Sequence, residues 1–127
     1  MQTQSLETPK QIPERQPASL IASDRVEGTA VFRPDGSRLG TIKRVMIDKR
    51  RGVVAYAVLS FGGLLGLGDD YFPLPWAMLT YNEEMGGYCV DVSDDQLARA
   101  PKMTTDLDFG DRVQEAALYD YYGFTFL

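Results

Sequence analysis

The chain has 127 residues, of which 44% are hydrophobic and 24% are charged. This composition is typical of one globular domain with tails. The chain carries 13 Lys and Arg against 18 Asp and Glu, so its formal net charge is −5. Nucleic-acid binders draw most of their non-specific affinity from basic surface, and the acidic balance therefore argues against nucleic acid as a partner.

The residue types that perform most catalysis are scarce. The chain contains no histidine, which is the commonest general base and transition-metal ligand. Cys89 is its single cysteine, so neither an internal disulfide nor a cysteine-based zinc site can form. Because Tyr88 and Val90 flank it as in a strand, we interpret Cys89 as a small apolar residue. We therefore expect no enzymatic activity, no metal and no cofactor.

An N-terminal arm precedes the domain. Residues 1–18 are rich in Gln, Pro, Glu and Thr and contain almost nothing to bury, which predicts disorder. They include no apolar core of a signal peptide. The longest uncharged stretch, 53–68, is interrupted by glycines and is shorter than the about 20 apolar residues that cross a bilayer. We expect a soluble, cytoplasmic protein with no membrane span.

The first strands follow in quick succession. Residues 29–33 and 40–48 predict two short strands joined at Pro34-Asp35-Gly36, a turn in which the glycine can adopt a left-handed conformation. In the second strand the apolar pattern changes phase between Ile42 and Val45, which indicates a bulge. Residues 53–61 are apolar on both faces, as in a central strand.

The later strands are shorter. Residues 71–74 and 76–81 predict a strand pair that Pro73 and Pro75 confine to an edge, a corner or a barrel seam. A last strand is predicted at 88–92. Six short strands with turns between them indicate an all-β fold, a small, strongly bent antiparallel barrel. A short helix follows the last strand, and Ser93 and Gln96 are placed to form its capping box.

A glycine-rich segment between the third and fourth strands predicts a flexible loop, with glycines at Gly62, Gly63, Gly66 and Gly68. A phosphate-binding P-loop would end in Gly-Lys-Ser/Thr, whereas Gly68 is followed by two aspartates, and the dinucleotide-binding pattern lacks its third glycine. The acidic stretch 106–111 resembles the start of a calcium loop, but the twelfth position is Ala117 rather than a carboxylate. We interpret it as an acidic linker in which Asp111 caps a helix.

Two groups of residues are candidates for binding. The C-terminal helix, predicted from Val113, Ala116, Ala117 and Tyr121 at helical spacing, leads into an aromatic tail. Apolar area of this kind rarely stays in water, so we predict an interaction surface that docks on the barrel and contributes to a homodimer. Its residues are Tyr119, Tyr121, Tyr122, Phe124 and Phe126. The second group is a basic patch in the turn before the third strand, Lys49, Arg50 and Arg51.

Glycines, aromatics and prolines recur at specific places in two stretches, PDGSRLGTIKRVMID at 34–48 and VVAYAVLSFGGLLGLGDDYFPLPWAML at 53–79. In this combination the chain resembles the PRC-barrel domain over about residues 20–97. The residues that carry the resemblance are Gly36, Gly40, Ile42, Phe61, Gly62, Gly63, Gly66, Gly68, Phe72, Pro73, Pro75 and Trp76. The closing helix and Tyr121-Tyr122-Gly123 are similar to an extension of stand-alone bacterial members.

The resemblance implies an interaction module rather than a catalyst. PRC-barrels occur in the cytoplasmic domain of the photosynthetic reaction centre H subunit and in the C-terminal domain of the ribosome-maturation protein RimM, but the chain shows neither the membrane helix of the first nor the second barrel of the second. We expect an arm at 1–18, a PRC-barrel at 19–100 and an acidic linker, helix and tail at 101–127. The expected partner is an unidentified protein together with a second copy. The alternative is a ribosome- or RNA-linked assembly factor that uses the basic patch.

Overall fold

The computed structural model describes residues 10, 19–61, 71–102 and 112–125. The glycine-rich loop, the acidic linker with Asp111, Phe126 and the predicted arm apart from Lys10 lie outside these residues. The elements in chain order are α1 (Ser23–Val26), β1 (Ala30–Phe32), β2 (Arg38–Asp48), β3 (Val53–Ser60), β4 (Tyr71–Pro75), a 3₁₀ turn (Trp76–Met78), β5 (Thr80–Asn82), β6 (Gly87–Cys89), α2 (Asp94–Arg99) and α3 (Arg112–Tyr121).

The strands form a single six-stranded sheet in the order β4-β3-β2-β1-β6-β5. This confirms the small all-β fold followed by a C-terminal helix. Two details differ from a closed antiparallel barrel. β1 and β6 run parallel, and the two terminal strands, β4 and β5, are not hydrogen-bonded to each other. β2 pairs with one edge of β1, and β6 of the β5–β6 hairpin pairs with the other edge in the same direction as β1.

The long β2–β3 pair is bent at two bulges. The register passes from Ile42 to Arg44 on β2 while the partner on β3 advances by a single residue, so Lys43 is left unpaired in the ladder. On β3 the register skips Ala55 in the same way. The first bulge confirms the phase change read from the sequence. Bulges increase local twist, and they let the two strands curve around the core.

The hydrophobic core lies against β3. Four consecutive residues of this strand, 56–59, are buried, which confirms its prediction as a central strand. The rings of Phe61 and Phe72 meet within the core at 4.6 Å between centroids. Gly40 is a glycine for a steric reason, since a Cβ there would lie 2.5 Å from the Ser60 carbonyl oxygen. The missing side chain therefore lets the backbones of β2 and β3 approach each other closely at this point.

The strand predicted at 71–74 is confirmed as β4, but the prediction that it pairs with a strand at 76–81 is wrong. Trp76–Met78 forms a 3₁₀ turn, in which the Leu79 N–H donates to the Trp76 carbonyl at 3.0 Å. The chain then continues to the opposite end of the strand order, where β5 pairs with β6. Of the three places predicted for Pro73 and Pro75, an edge, a corner or a barrel seam, the described sheet shows the edge, because β4 is the first strand of its order.

The capping box of α2 is present as predicted. The Gln96 N–H donates to the Ser93 hydroxyl at 3.1 Å, and the Ser93 N–H donates to the Gln96 side-chain oxygen at 2.9 Å. These two bonds satisfy backbone donors that a helix start leaves without partners. Leu97 on the same helix is fully buried and fixes α2 against the core.

The predicted C-terminal helix is confirmed as α3, but the residues whose helical spacing predicted it do not form its buried face. Val113 is 78% exposed, whereas Leu118 is fully buried in a second cluster with Tyr56 and Val58 of β3. The buried stripe therefore runs through Leu118 and Tyr122. A buried leucine removes more apolar area from water than a valine or an alanine does, which favours packing of the face that carries Leu118.

We expect Leu118→Ala to lower the free energy of unfolding by about 2–5 kcal/mol, since it removes a fully buried leucine and leaves a cavity beside β3. Val113→Ala on the exposed side of the same helix is the matched control and should change it by less than about 0.5 kcal/mol. Urea unfolding followed by circular dichroism measures both values. Similar values for the two variants would show that α3 does not depend on this contact.

Candidate functional site

Three tyrosines of the predicted interaction surface hold α3 on its own chain. The Tyr119 hydroxyl donates to the Ala55 carbonyl at 3.1 Å, at the position where the β3 register skips a residue. The Tyr121 hydroxyl donates to the Gln96 carbonyl of α2 at 2.7 Å. Tyr122 packs against both core clusters. These side chains therefore dock within the chain.

A glycine turn ends α3 and directs the chain back along it. Gly123 has a φ of 83°, and its N–H donates to the Asp120 carbonyl at 3.2 Å. The Phe124 N–H donates to the Tyr119 carbonyl at 2.8 Å. These two bonds form a Schellman motif, in which the residue after the glycine lies beside the last turn of the helix. Phe124 keeps 37% of its surface exposed.

A cleft of about 320 Å³ lies between the end of the β2–β3 hairpin, the 3₁₀ turn and α3. We call it the helix cleft. Its apolar walls include Val53, Trp76 and Phe124, and Arg51 and Arg112 also line it. The structure thus brings one member of the basic patch next to the aromatic tail, two groups that the sequence presented separately. Lys49 and Arg50 are exposed on the turn beside it.

The charges of the helix cleft are arranged around Asp48. Its carboxylate accepts the N–H groups of Arg50 and Arg51 at 3.0 and 3.1 Å. The bond from Arg51 contributes most to lowering the pKa of Asp48, and the positive charges of Arg51 and Arg112 lower it further. Sequence reasoning missed Arg112. A basic residue at the start of a helix, where the helix dipole favours acidic ones, is the signal that points to it.

Two phenols at the end of α3 resist ionisation. Burial, together with the nearby negative charge of Glu115, raises the pKa of Tyr119 to about 12. Burial raises the pKa of Tyr122 well above its usual range. The Tyr122 hydroxyl is buried and has no hydrogen-bond partner among residues 19–61, 71–102 and 112–125.

A second surface lies at the opposite end of the sheet order, beside β5. Leu20, Ile21 and Tyr81 are 72%, 45% and 50% exposed, and they line an open groove of about 530 Å³ with Tyr88. We call these three residues the edge patch. The rings of Tyr81 and Tyr88 meet at 5.2 Å. Within the part of the chain that the structure covers, β5 has no second neighbouring strand. Sequence reasoning did not identify this surface, because it depends on which strand ends the sheet.

Across the residues described, no three Cys, Asp or Glu side chains are grouped so that they could hold a metal ion. Cys89 is half-buried on β6. No helix in the described ranges has the length and apolar character that spanning a membrane requires.

The family model of the PRC-barrel domain matches residues 19–97. The chain belongs to the PRC-barrel family. A search of curated proteins found no match. The match to the PRC-barrel begins at the edge patch and ends at Leu97 in α2, so the helix α3 and with it one wall of the helix cleft lie beyond the matched region.

We expect Tyr119→Phe to lower the free energy of unfolding of this PRC-barrel protein by about 1 kcal/mol, because the Ala55 carbonyl loses its donor. Tyr122→Phe removes a buried hydroxyl that has no partner in the described structure, so it should be neutral or slightly stabilising. Each replacement deletes one phenolic oxygen, and each variant therefore controls for the other. Equal losses in urea unfolding would contradict these assignments.

The raised pKa values predict a loss of stability at high pH. Tyr119 in the folded chain has a pKa of about 12 against an ordinary value of 10.0, so folding favours its neutral form. Its contribution is complete below pH 10 and disappears as the pH rises from there through about 12. The stability of the wild type should fall more steeply over this interval than that of Tyr119→Phe. Parallel curves from urea unfolding at a series of pH values would contradict the prediction.

Proposed function

We propose that this PRC-barrel protein is a non-catalytic, cytoplasmic protein-interaction module that self-associates. The observation that carries the proposal is the edge patch. Large apolar side chains exposed together on a monomer are typical of protein-binding surfaces. Here they lie beside a strand whose outer edge has no partner in the described sheet. Free strand edges bind further strands through their backbone N–H and C=O groups.

We infer that a second copy is the partner of this edge. Two identical strands that pair antiparallel are related by a two-fold axis, so one surface serves both subunits. The apolar side chains of Leu20 and Tyr81 would then cover their counterparts. The aromatic tail is a weaker candidate for this contact, because Tyr119 and Tyr121 already donate their hydroxyl protons to carbonyls of their own chain.

Sedimentation equilibrium on the full chain tests self-association. We expect a dimer at micromolar to high micromolar concentration, and Leu20→Asp combined with Tyr81→Asp should produce a monomer, because it places charges in the apolar contact. Val113→Asp introduces the same charge at an exposed apolar residue of α3 and should leave the dimer unchanged. A wild type that stays monomeric, or a double variant that still dimerises, would overturn the proposal.

RNA binding is a second candidate, supported by the exposure of Lys49, Arg50 and Arg51 on one turn and by Arg112 nearby. Contacts with phosphates release counterions, so the affinity would fall steeply with salt. Replacing the three residues of the basic patch by Glu should abolish binding and its salt dependence. The same triple replacement would leave the dimer intact. The net charge of −5 argues against this candidate.

A further inference from the structure

Strand β3 buries apolar side chains on both of its faces. Ala57 and Leu59 belong to the main hydrophobic core, whereas Tyr56 and Val58, which alternate with them, belong to the second cluster. Successive side chains of a strand point to opposite faces, so the second cluster lies on the other face of the sheet. A sheet with an apolar second face needs a cover, and α3 is that cover. We call this second surface the outer face, and its residues are Met46, Tyr56, Val58 and Tyr71.

The cover is held in place by few contacts. Besides the hydroxyl bonds of Tyr119 and Tyr121, it depends on Leu118, which is the one buried residue among the ten described residues of α3. Tyr122 packs beside Leu118, but its buried hydroxyl has no partner in the described structure, and such a group weakens a contact. A helix of this length is marginal in water by itself. Docking therefore holds α3 in place, and a helix that docks better can replace it.

The outer face is part of the PRC-barrel, whereas its cover is not. All four residues of the face lie within the matched range 19–97, and α3 begins at Arg112. The packing of α3 shows which chemistry the face accepts. Leu118 fills its centre, and the hydroxyl of the following Tyr119 reaches the Ala55 carbonyl. Binding of the apolar side of an amphipathic helix is a recurrent mode of protein recognition.

We propose that the outer face binds an amphipathic helix of a partner protein, and that α3 occupies this face in the free chain as an autoinhibitory segment. The partner helix places a leucine where Leu118 lies and an aromatic residue four positions later, and it displaces α3. This inference rests on the proposed function as an interaction module. It assigns to that function a second surface, separate from the edge patch.

A partner helix suits this exchange better than the α3 of a second copy. The helix of a second copy makes only the contacts that the chain's own helix makes. The chain's own helix is joined to the barrel through residues 103–111, and a short connection gives an effective concentration on the order of millimolar. A second copy at micromolar concentration therefore cannot compete, whereas a partner helix with better contacts can.

A synthetic peptide with the sequence of residues 112–125 and an N-terminal fluorophore is the probe, and fluorescence anisotropy measures its binding to the full chain. We expect weak binding to the wild type. Leu118→Ala in the chain should raise the affinity by about tenfold or more, because it weakens the competing helix. Tyr121→Phe removes the bond to the Gln96 carbonyl, leaves the outer face intact and should raise the affinity about threefold.

Controls separate displacement from general loosening. Val113→Ala in the chain changes an exposed residue of the same helix and should leave the affinity at the wild-type value. In the peptide, Leu118→Asp should abolish binding, and Tyr122→Phe should preserve or strengthen it, because it deletes the hydroxyl that has no partner in the described structure. Circular dichroism checks that each chain is folded, and Tyr121→Phe decides the test if Leu118→Ala is not.

Hydrogen exchange locates the bound peptide. The Tyr121→Phe chain is labelled with a heavy nitrogen isotope, so that mass distinguishes its own α3 from the peptide. We expect the peptide to speed exchange in residues 112–122 of the chain and to leave β3 protected. A peptide that bound at the edge patch would leave the chain's own α3 protected.

Three results would overturn the inference. They are the absence of binding to every folded variant, equal affinities of the wild type and these variants, and binding that leaves the chain's own α3 protected. A chain with Leu20→Asp and Tyr81→Asp that stays dimeric until the peptide is added would assign the outer face to a second copy and would also contradict it.

Sedimentation of the same samples separates this inference from the proposed self-association. A wild-type dimer whose loosened variants bind no peptide removes the inference alone. A wild-type monomer whose loosened variants bind the peptide removes the self-association alone.

Discussion

The packing of α3 on β3 is the interaction on which the second hydrophobic cluster and the helix cleft depend. Leu118 enters the cluster formed by Tyr56 and Val58, and Tyr119 donates to the carbonyl of Ala55. The bulge in β3 is what makes this arrangement possible, because a residue skipped by the register presents its carbonyl away from the regular ladder. The helix covers the β4 end of the sheet and supplies Arg112 and a wall of the helix cleft. Without this contact the hairpin end would be only an exposed basic turn.

Local patterns in the sequence predicted local structure well. The bulge near Lys43, the central strand β3 and the capping box of α2 follow from residues only a few positions apart. The parallel pairing of β1 with β6 could not be predicted in this way, because it depends on which free edge the β5–β6 hairpin reaches. The residues at helical spacing in α3 did not identify its buried face for a related reason. Spacing identifies faces of a helix, but the shape of the partner surface selects Leu118 over Val113.

The candidate site, too, could be predicted only in its local parts. The composition of the sequence identified the aromatic tail and the basic patch, but as two separate groups. Only the fold places Arg51 and Phe124 on one cleft, since the residues are far apart in the chain and meet through the packing of α3. The family match stops at Leu97, so the edge patch lies in the part shared with other PRC-barrels and the cleft depends on the part that follows. Variation among relatives in that last segment would change the cleft without disturbing the sheet.

The two prolines of β4 have a consequence for how far assembly can proceed. Pro73 and Pro75 have no N–H groups, and α3 packs against this strand, so the described sheet cannot be extended on that side. Among the described strands, β5 is the one whose outer edge remains open to pairing. If two molecules pair there as proposed, neither keeps a free edge in the described sheet, so the assembly would stop at a closed pair instead of extending into a filament.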